Sequence, residues 1–258
     1  MQPGVPEGKR LTIAEDFRII PPPDLYGPAE KLADAENNTR DYGTTDKAKI
    51  KIEEDKRIGT QFEMLKTAIM HKHTEGRFIV VRSSLYDDKT NGVDNVLVDT
   101  VSGHTICAFD EISNTTLRTR DLAKKADAVL GKNLGAYTSM VNTMTFGAQE
   151  NSSEKGAKLK YGIKLSNGEL KCEEMINLPI FVLSLDYDHV NDGLQAFVNG
   201  EGKSRYETEL FYFFLQTLAS QVKILKADKG RYQKLPQEMR EGIESLDLYL
   251  QEILHKKS

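Results

Sequence analysis

Carboxylates distributed over a short stretch of chain give this sequence its first chemical lead. Glu63 follows an aromatic residue in a helix-like segment, Asp94 opens a valine-rich run, and Asp110-Glu111 close a third apolar run. Acids that far apart in sequence converge only if the chain between them folds back as a meander. Once converged, their oxygens form a site for a hard divalent cation such as Mg2+ or Mn2+, which takes oxygen ligands and retains waters. The competing view is of unrelated solvated acids, since the chain holds 39 of them. Other chemistries find little support. Cys107 and Cys172 lie in separate apolar or strand-like runs, outside any CxxC or Cys/His cluster, which argues against zinc and for small buried thiols. His71 and His73 are two apart at a helix end and share no face. There is no Ser/His/Asp pattern, no glycine-rich phosphate loop and no dinucleotide fingerprint.

The elements that must position these acids read as follows. From Asp46 to about His73 the pattern is helical, with Ile58, Phe62, Leu65, Ile69 and Met70 on one face and Gly59 interrupting it. A glycine is tolerated there where another segment comes close. Thr74-Glu75-Gly76 stops the helix. Phe78–Val81 is a buried strand, Asp87–Gly92 a turn, Val93–Asp99 a second strand, Ser102-Gly103 a turn and Thr105–Phe109 a third strand, together an antiparallel meander. A helix over about Thr115–Leu130 follows, carrying Arg118, Arg120, Lys124 and Lys125 on its polar side. A short helix at Ala136–Phe146 and a loop at Gln149–Lys158 come next. Leu159–Leu165 and Glu169–Met175, joined by Ser166-Asn167-Gly168, form a hairpin. Leu178–Leu185 is a central strand with Pro179 at its entry. Leu194–Val198 is a further short segment. Ser204 caps a helix to about Lys226, and a second runs from Pro236 to about His255, the two forming a helical pair.

Six of the eight prolines fall in residues 1–46, an expected extended leader with a short helix at Pro28–Glu36. The expected division is therefore leader 1–46, α/β core 47–203 and C-terminal helical pair 204–258. Net charge is −4, so the whole-protein basic field of many nucleic-acid binders is absent and any such contact needs a local patch. Lys155, Lys158, Lys160 and Lys164 along the hairpin, and the basic face of the Thr115–Leu130 helix, supply two. No apolar run approaches the roughly 20 residues needed to span a bilayer, and the first residues lack a charged-then-apolar signal. The expectation is a cytoplasmic protein with no membrane partner.

The order helix, three-stranded meander, helix, buried strand resembles the PD-(D/E)XK nuclease superfamily, with its α-β-β-β-α-β restriction-endonuclease-like core. Gly59-Thr60-Gln61-Phe62-Glu63 is similar to the Gly-x-x-Phe-Glu of the first core helix. Gly92-Val93-Asp94-Asn95-Val96-Leu97 is similar to the second-strand aspartate motif, and Ile106-Cys107-Ala108-Phe109-Asp110 to the strand delivering the second acid. Asp94 and Asp110 stand sixteen positions apart, a separation that a tight hairpin satisfies. The resemblance covers about residues 57–190, through short, degenerate motifs. It implies metal-assisted phosphodiester hydrolysis, with Glu63, Asp94 and Asp110 as ligands of Mg2+ or Mn2+ and DNA as substrate, in a restriction, repair or mobile-element setting.

The chain departs from that pattern at the lysine two residues after the second strand acid. Ile112 stands there counting from Asp110, and Ser113 counting from Glu111. Lys124 or Lys125 is a possible substitute. The choice between Asp110 and Glu111 is open as well. Regular alternation sends Glu111 to the face of Phe109 and Asp110 to the opposite face, yet alternation often fails at a strand end, and Asp110 is the preferred ligand. Without a lysine the resemblance also accommodates a catalytically weakened binding or assembly module, self-associating through its C-terminal helices.

Overall fold

A computed structural model describes residues 12–13, 17–21, 39, 43–113, 119–134, 155–200 and 203–255. The expected helices at Pro28–Glu36 and Ala136–Phe146, and most of the loop from Gln149, lie outside them. The chain is a mixed α/β protein.

Its centre is a four-stranded sheet of β3 (Phe78–Arg82), β4 (Asn95–Asp99), β5 (Thr105–Ser113) and β8 (Ile180–Leu185), in the order β3-β4-β5-β8. The first three strands form the antiparallel meander. β8 joins parallel to β5, in register from Ala108–Ile180 to Ser113–Leu185. That pairing explains why β5 runs four residues past Phe109: its outer edge is occupied to Ser113. The turn at Asp87–Gly92 is a π-helical turn, Asp87–Asn91, closed by Gly92 at φ 62°. Buried Asp87 pins it, accepting from Ser84 Oγ, Asn91 Nδ2 and the Lys160 and Tyr161 amides.

The helical stretch from Asp46 divides into α1 (Lys47–Asp55) and α2 (Ile58–His73). Arg57 between them is extended, φ −72° and ψ 129°. α1 is largely polar, whereas α2 buries Phe62, Leu65, Ile69 and Met70. Gly59 lets the end of β5 approach, since a Cβ there would sit 3.5 Å from Ser113 Oγ. α3 (Thr119–Leu134) precedes the hairpin β6 (Ala157–Ser166)/β7 (Glu169–Leu178), whose turn residues Asn167 and Gly168 both have positive φ, as a tight hairpin turn requires.

The segment after β8 is a full helix, α4 (Tyr187–Asn199), where the sequence pattern indicated only a short piece. Asp186 caps it, accepting from the His189 amide, and Gly193 is needed because a Cβ would meet Leu65 and Leu210 side chains at 2.6 and 2.9 Å. α5 (Arg205–Ala227) starts with a capping box, Ser204 with Glu207, and is joined through the short α6 (Lys229–Tyr232) to α7 (Gln237–His255).

Two apolar clusters flank the sheet. Phe62, Leu65, Leu97, Phe109, Phe214, Leu218, Ile243 and Leu246 unite α2, α5 and α7 with one face, so the C-terminal helices share the core of the sheet. Val81, Val96, Ala108, Val182, Val129, Leu159 and Ile163 unite the other face with α3 and the hairpin. From the N-terminal segment, β1 (Thr12–Ile13) pairs with β2 (Ile19–Ile20), Ile19 is buried in the second cluster, and the Arg82 amide donates to Phe17 O at 2.8 Å along the free edge of β3. No helix among the described residues is long and apolar enough to cross a membrane.

Candidate functional site

Alternation along β5 persists to its end and decides where the two neighbouring acids go. Phe109 faces α2, so Glu111 does too, while Asp110 shares the opposite side with Ala108 and Ile112. Asp110 accordingly pairs with Lys125 of α3 at 2.7 Å, away from the other acids. Lys124, the other lysine considered, is exposed on α3.

On the α2 side, the chain entering β4 brings Asp94 against Glu111. The Asp94 amide donates to Phe109 O at 3.0 Å, and Asp94 Oδ2 in turn accepts from the Glu111 amide at 2.5 Å. This backbone clasp presses the two carboxyl groups together, within hydrogen-bonding reach of each other. Burial first, then the charge of Glu111, raise the Asp94 carboxyl well above its ordinary range. Glu111 Oε1 accepts from Lys66 Nζ and from Asn95 Nδ2 (3.1 Å). Its Oε2 is buried and accepts no hydrogen bond among the described residues. Thr67 Oγ1 orients Asn95 by donating to its Oδ1 at 2.6 Å.

α2 contributes three of these groups from one face, since Glu63, Lys66 and Thr67 are spaced i, i+3 and i+4. Lys66 is fully buried, with its ammonium 4.4 Å from the centre of the Phe109 ring. Glu63 completes the neighbourhood, but its carboxylate is engaged by arginines. Oε2 accepts from Arg82 Nε at 2.9 Å and lies 2.7 Å from Nη2, with Arg18 Nη2 at 3.7 Å. Burial outweighs the pull of Arg82 and, with the charges of Glu111 and Asp88, pushes Glu63 up to about 7.

The expected acids Glu63 and Asp94 are thus electrostatic neighbours, and Glu111 rather than Asp110 stands with them. Among the described residues, no three Asp, Glu, His or Cys side chains converge closely enough to hold a metal ion as they stand. What the geometry offers is a two-carboxylate pair with one buried oxygen unpaired and a lysine alongside. A cavity of about 520 Å3 lined by Ile112, Leu122, Leu185 and Phe213 contains none of these acids. Cys107 and Cys172 are free thiols, and burial raises the pKa of both.

Sequence reasoning missed Lys66, Arg82 and Arg18. Lys66 had a signal: it lies four residues after Phe62 and three before Ile69, on the apolar face of α2. A lysine there must be buried and paired. Arg18 had none, because only the tertiary fold brings the N-terminal segment beside α2.

Comparison with protein-family models, with curated proteins and with solved structures finds no match.

Proposed function

We propose that this chain is a divalent-metal-dependent nuclease acting on phosphodiester bonds in DNA, with α2-β3-β4-β5-α3-β8 as a restriction-endonuclease-like core of the PD-(D/E)XK type. The observation that carries this reading is the Asp94–Glu111 pair beside Lys66. Two carboxylates held this close repel when both are ionised, unless a proton or a cation lies between them. The donor set is all oxygen, which suits Mg2+ or Mn2+, and the unpaired Oε2 of Glu111 is a buried acceptor with unfilled capacity.

In this reading Asp94 and Glu111 would hold the cation, with Glu63, which Arg82 engages, as the third acid. When bound, the cation supplies a water of lowered pKa and neutralises charge on the phosphate. Asn95, braced by Thr67, fixes the rotamer of Glu111. Lys66 takes the part of the motif lysine, delivered from α2 in place of β5, where Ser113 occupies the motif position. Its ammonium supplies a positive charge beside Glu111. The lysines of β6 and α3 offer contacts to the DNA backbone, whose strength would fall with salt.

A second reading, a catalytically weakened binding or assembly module of the same fold, is favoured by the engagement of Glu63 with Arg82. Supercoiled plasmid incubated with the protein and Mn2+ separates the two. The nuclease reading expects nicking that falls at least about 100-fold in Asp94→Asn and in Lys66→Met but persists in Asp110→Asn. Mn2+ binding without nicking in the wild type would leave the second reading standing.

A further inference from the structure

β5 and β8 are a parallel pair, and the helices that follow them in the chain lie on opposite faces of the sheet. α3, after β5, packs through Val129 into the cluster of Val96 and Ala108. α4, after β8, packs through Val190 into the cluster of Leu97 and Phe109. Neighbouring parallel strands that send their chains to opposite sides leave a crevice beyond their carboxyl ends, and in open α/β sheets that crevice is where ligands bind. The cavity of about 520 Å3 lies there. Ile112 and Leu185, at the ends of β5 and β8, line it together with Leu122 of α3 and Leu210 and Phe213 of α5. Its volume falls within the roughly 300–1,000 Å3 of small-molecule sites, which share this largely apolar lining with a few placed polar groups.

The charged groups at the cavity are of one sign. Asp186 and Glu209 line it with half-exposed side chains, which places them at its mouth, and no lysine or arginine lines it among the described residues. The hydrogen bond from the His189 amide, first of all, holds the Asp186 carboxyl below its ordinary range and so keeps it ionised. Glu209 Oε1 accepts from Arg205 Nε at 2.8 Å, but Arg205 is almost wholly in solvent, where such a pair is weak and readily exchanged. In the wall, the phenol oxygen of Tyr206 is buried and has no hydrogen-bond partner among the described residues. Burial raises its pKa, and the charges of Asp192, Asp186 and Glu209 each add in the same direction, so this oxygen sits in a negative potential.

We propose that this cavity binds a small organic cation, an ammonium carried on an aromatic or branched apolar body. The apolar body displaces water from Ile112, Leu185 and Leu210, while the ammonium stays at the mouth beside Asp186 and Glu209. The rings of Tyr206 and Phe213 add attraction for positive charge, and the unpaired Tyr206 oxygen accepts from the ammonium. An anion of the same shape would meet two carboxylates, and a neutral molecule would forgo the charge interaction. The Asp94–Glu111 pair takes no part, and the site stands whether or not the chain is a nuclease.

The test titrates phenethylamine into the isotope-labelled full chain and follows the backbone amide resonances, with phenethyl alcohol and phenylacetate as the neutral and anionic counterparts. The amine is expected to shift the amides of Leu185, His189 and Leu210 and to bind at least about tenfold more tightly than the alcohol, with no binding of phenylacetate. Glu209→Gln and Asp186→Asn, the latter still able to cap α4, should each weaken the amine about threefold, and the two together about tenfold. Ser184→Leu, which fills the cavity and leaves both acids in place, should abolish binding, whereas Asp94→Asn should bind as the wild type does. Should Ser184→Leu fail to fold, the exposed Glu209→Gln carries the test. No shift on adding the amine, equal affinity for the three probes, unchanged affinity in the carboxamide variants, or loss of binding in Asp94→Asn would each overturn the assignment.

Discussion

Asp110 and Glu111 are neighbours on β5, and each holds a lysine. Lys66 and Glu111 are 0% and 2% exposed, whereas Lys125 and Asp110 are 42% and 16% exposed. The outer pair is open to solvent on its lysine side, and a pair of that kind contributes about 0–1 kcal/mol. The inner pair has given up hydration on both partners, a cost that Coulomb attraction recovers only with good geometry and further hydrogen bonds. Asn95 supplies one such bond, yet Oε2 of Glu111 has none among the described residues. An apolar pair of similar volume would fill that space at least as stably. One strand thus carries an ion pair that is open to solvent on its lysine side beside another whose burial stability alone does not explain.

The largest effect that sharpens this comparison is expected from Glu111→Ala. It leaves the Lys66 ammonium buried without its carboxylate and should cost about 3–5 kcal/mol in urea unfolding. The double variant Lys66→Met/Glu111→Leu should recover most of that loss. A cost for Glu111→Ala no greater than that of a surface substitution would break the comparison.

An intermediate effect comes from pH. Glu63 is raised from 4.5 to about 7 and Asp94 is raised well above 3.8, burial being the first cause in both. A carboxyl whose folded pKa exceeds its unfolded value stabilises fully below the unfolded pKa, and that contribution is lost as pH rises through the folded one. His73, lowered chiefly by burial, acts oppositely on the acid side of 6.5. In the absence of metal, the stability that Glu63 contributes should therefore fall from about pH 4.5 and level off above about 7, by about 3 kcal/mol in all, and the part of the fall above pH 6.5 is free of the opposing change at His73. Glu63→Gln should flatten that slope. Mn2+ binding should strengthen over the same interval as the protons leave. A pH-independent melting temperature in both proteins would contradict this.

The smallest effect is expected at the outer pair. Lys125→Met should change stability by no more than about 1 kcal/mol and leave metal binding unaltered.

How much of this was legible in the sequence follows from which forces act locally. The meander, the hairpin at Asn167-Gly168 and the capped helix at Ser204 were readable because turn chemistry and helical periodicity are short-range. α4 was not, because Asn191, Asp192 and Gly193 weaken its helical pattern, and Gly193 is required by packing against Leu65 and Leu210. Glu63 and Asp94 were identified as candidates from residue type and position. The choice of Asp110 rested on alternation failing at a strand end. Parallel pairing with β8 keeps β5 regular to Ser113 and turns Glu111 inward instead. The motif places its lysine two residues after the second strand acid, and with Ile112 or Ser113 there the sequence points onward to Lys124 and Lys125 of α3, while the buried amine comes from the helix before the meander. Arg82 and Arg18 reach Glu63 only through tertiary contacts that no local pattern encodes.

The central claim is that Asp94 and Glu111, with Lys66 beside them, form a divalent-cation site and that Asp110 takes no part. Calorimetric titration of Mn2+ at pH 8, above the raised pKa of Glu63, tests it most directly. The account predicts one cation per chain, with binding weakened or lost in Asp94→Asn and Glu111→Gln and retained in Asp110→Asn. No binding to the wild type, or loss in Asp110→Asn equal to that in Glu111→Gln, would contradict it.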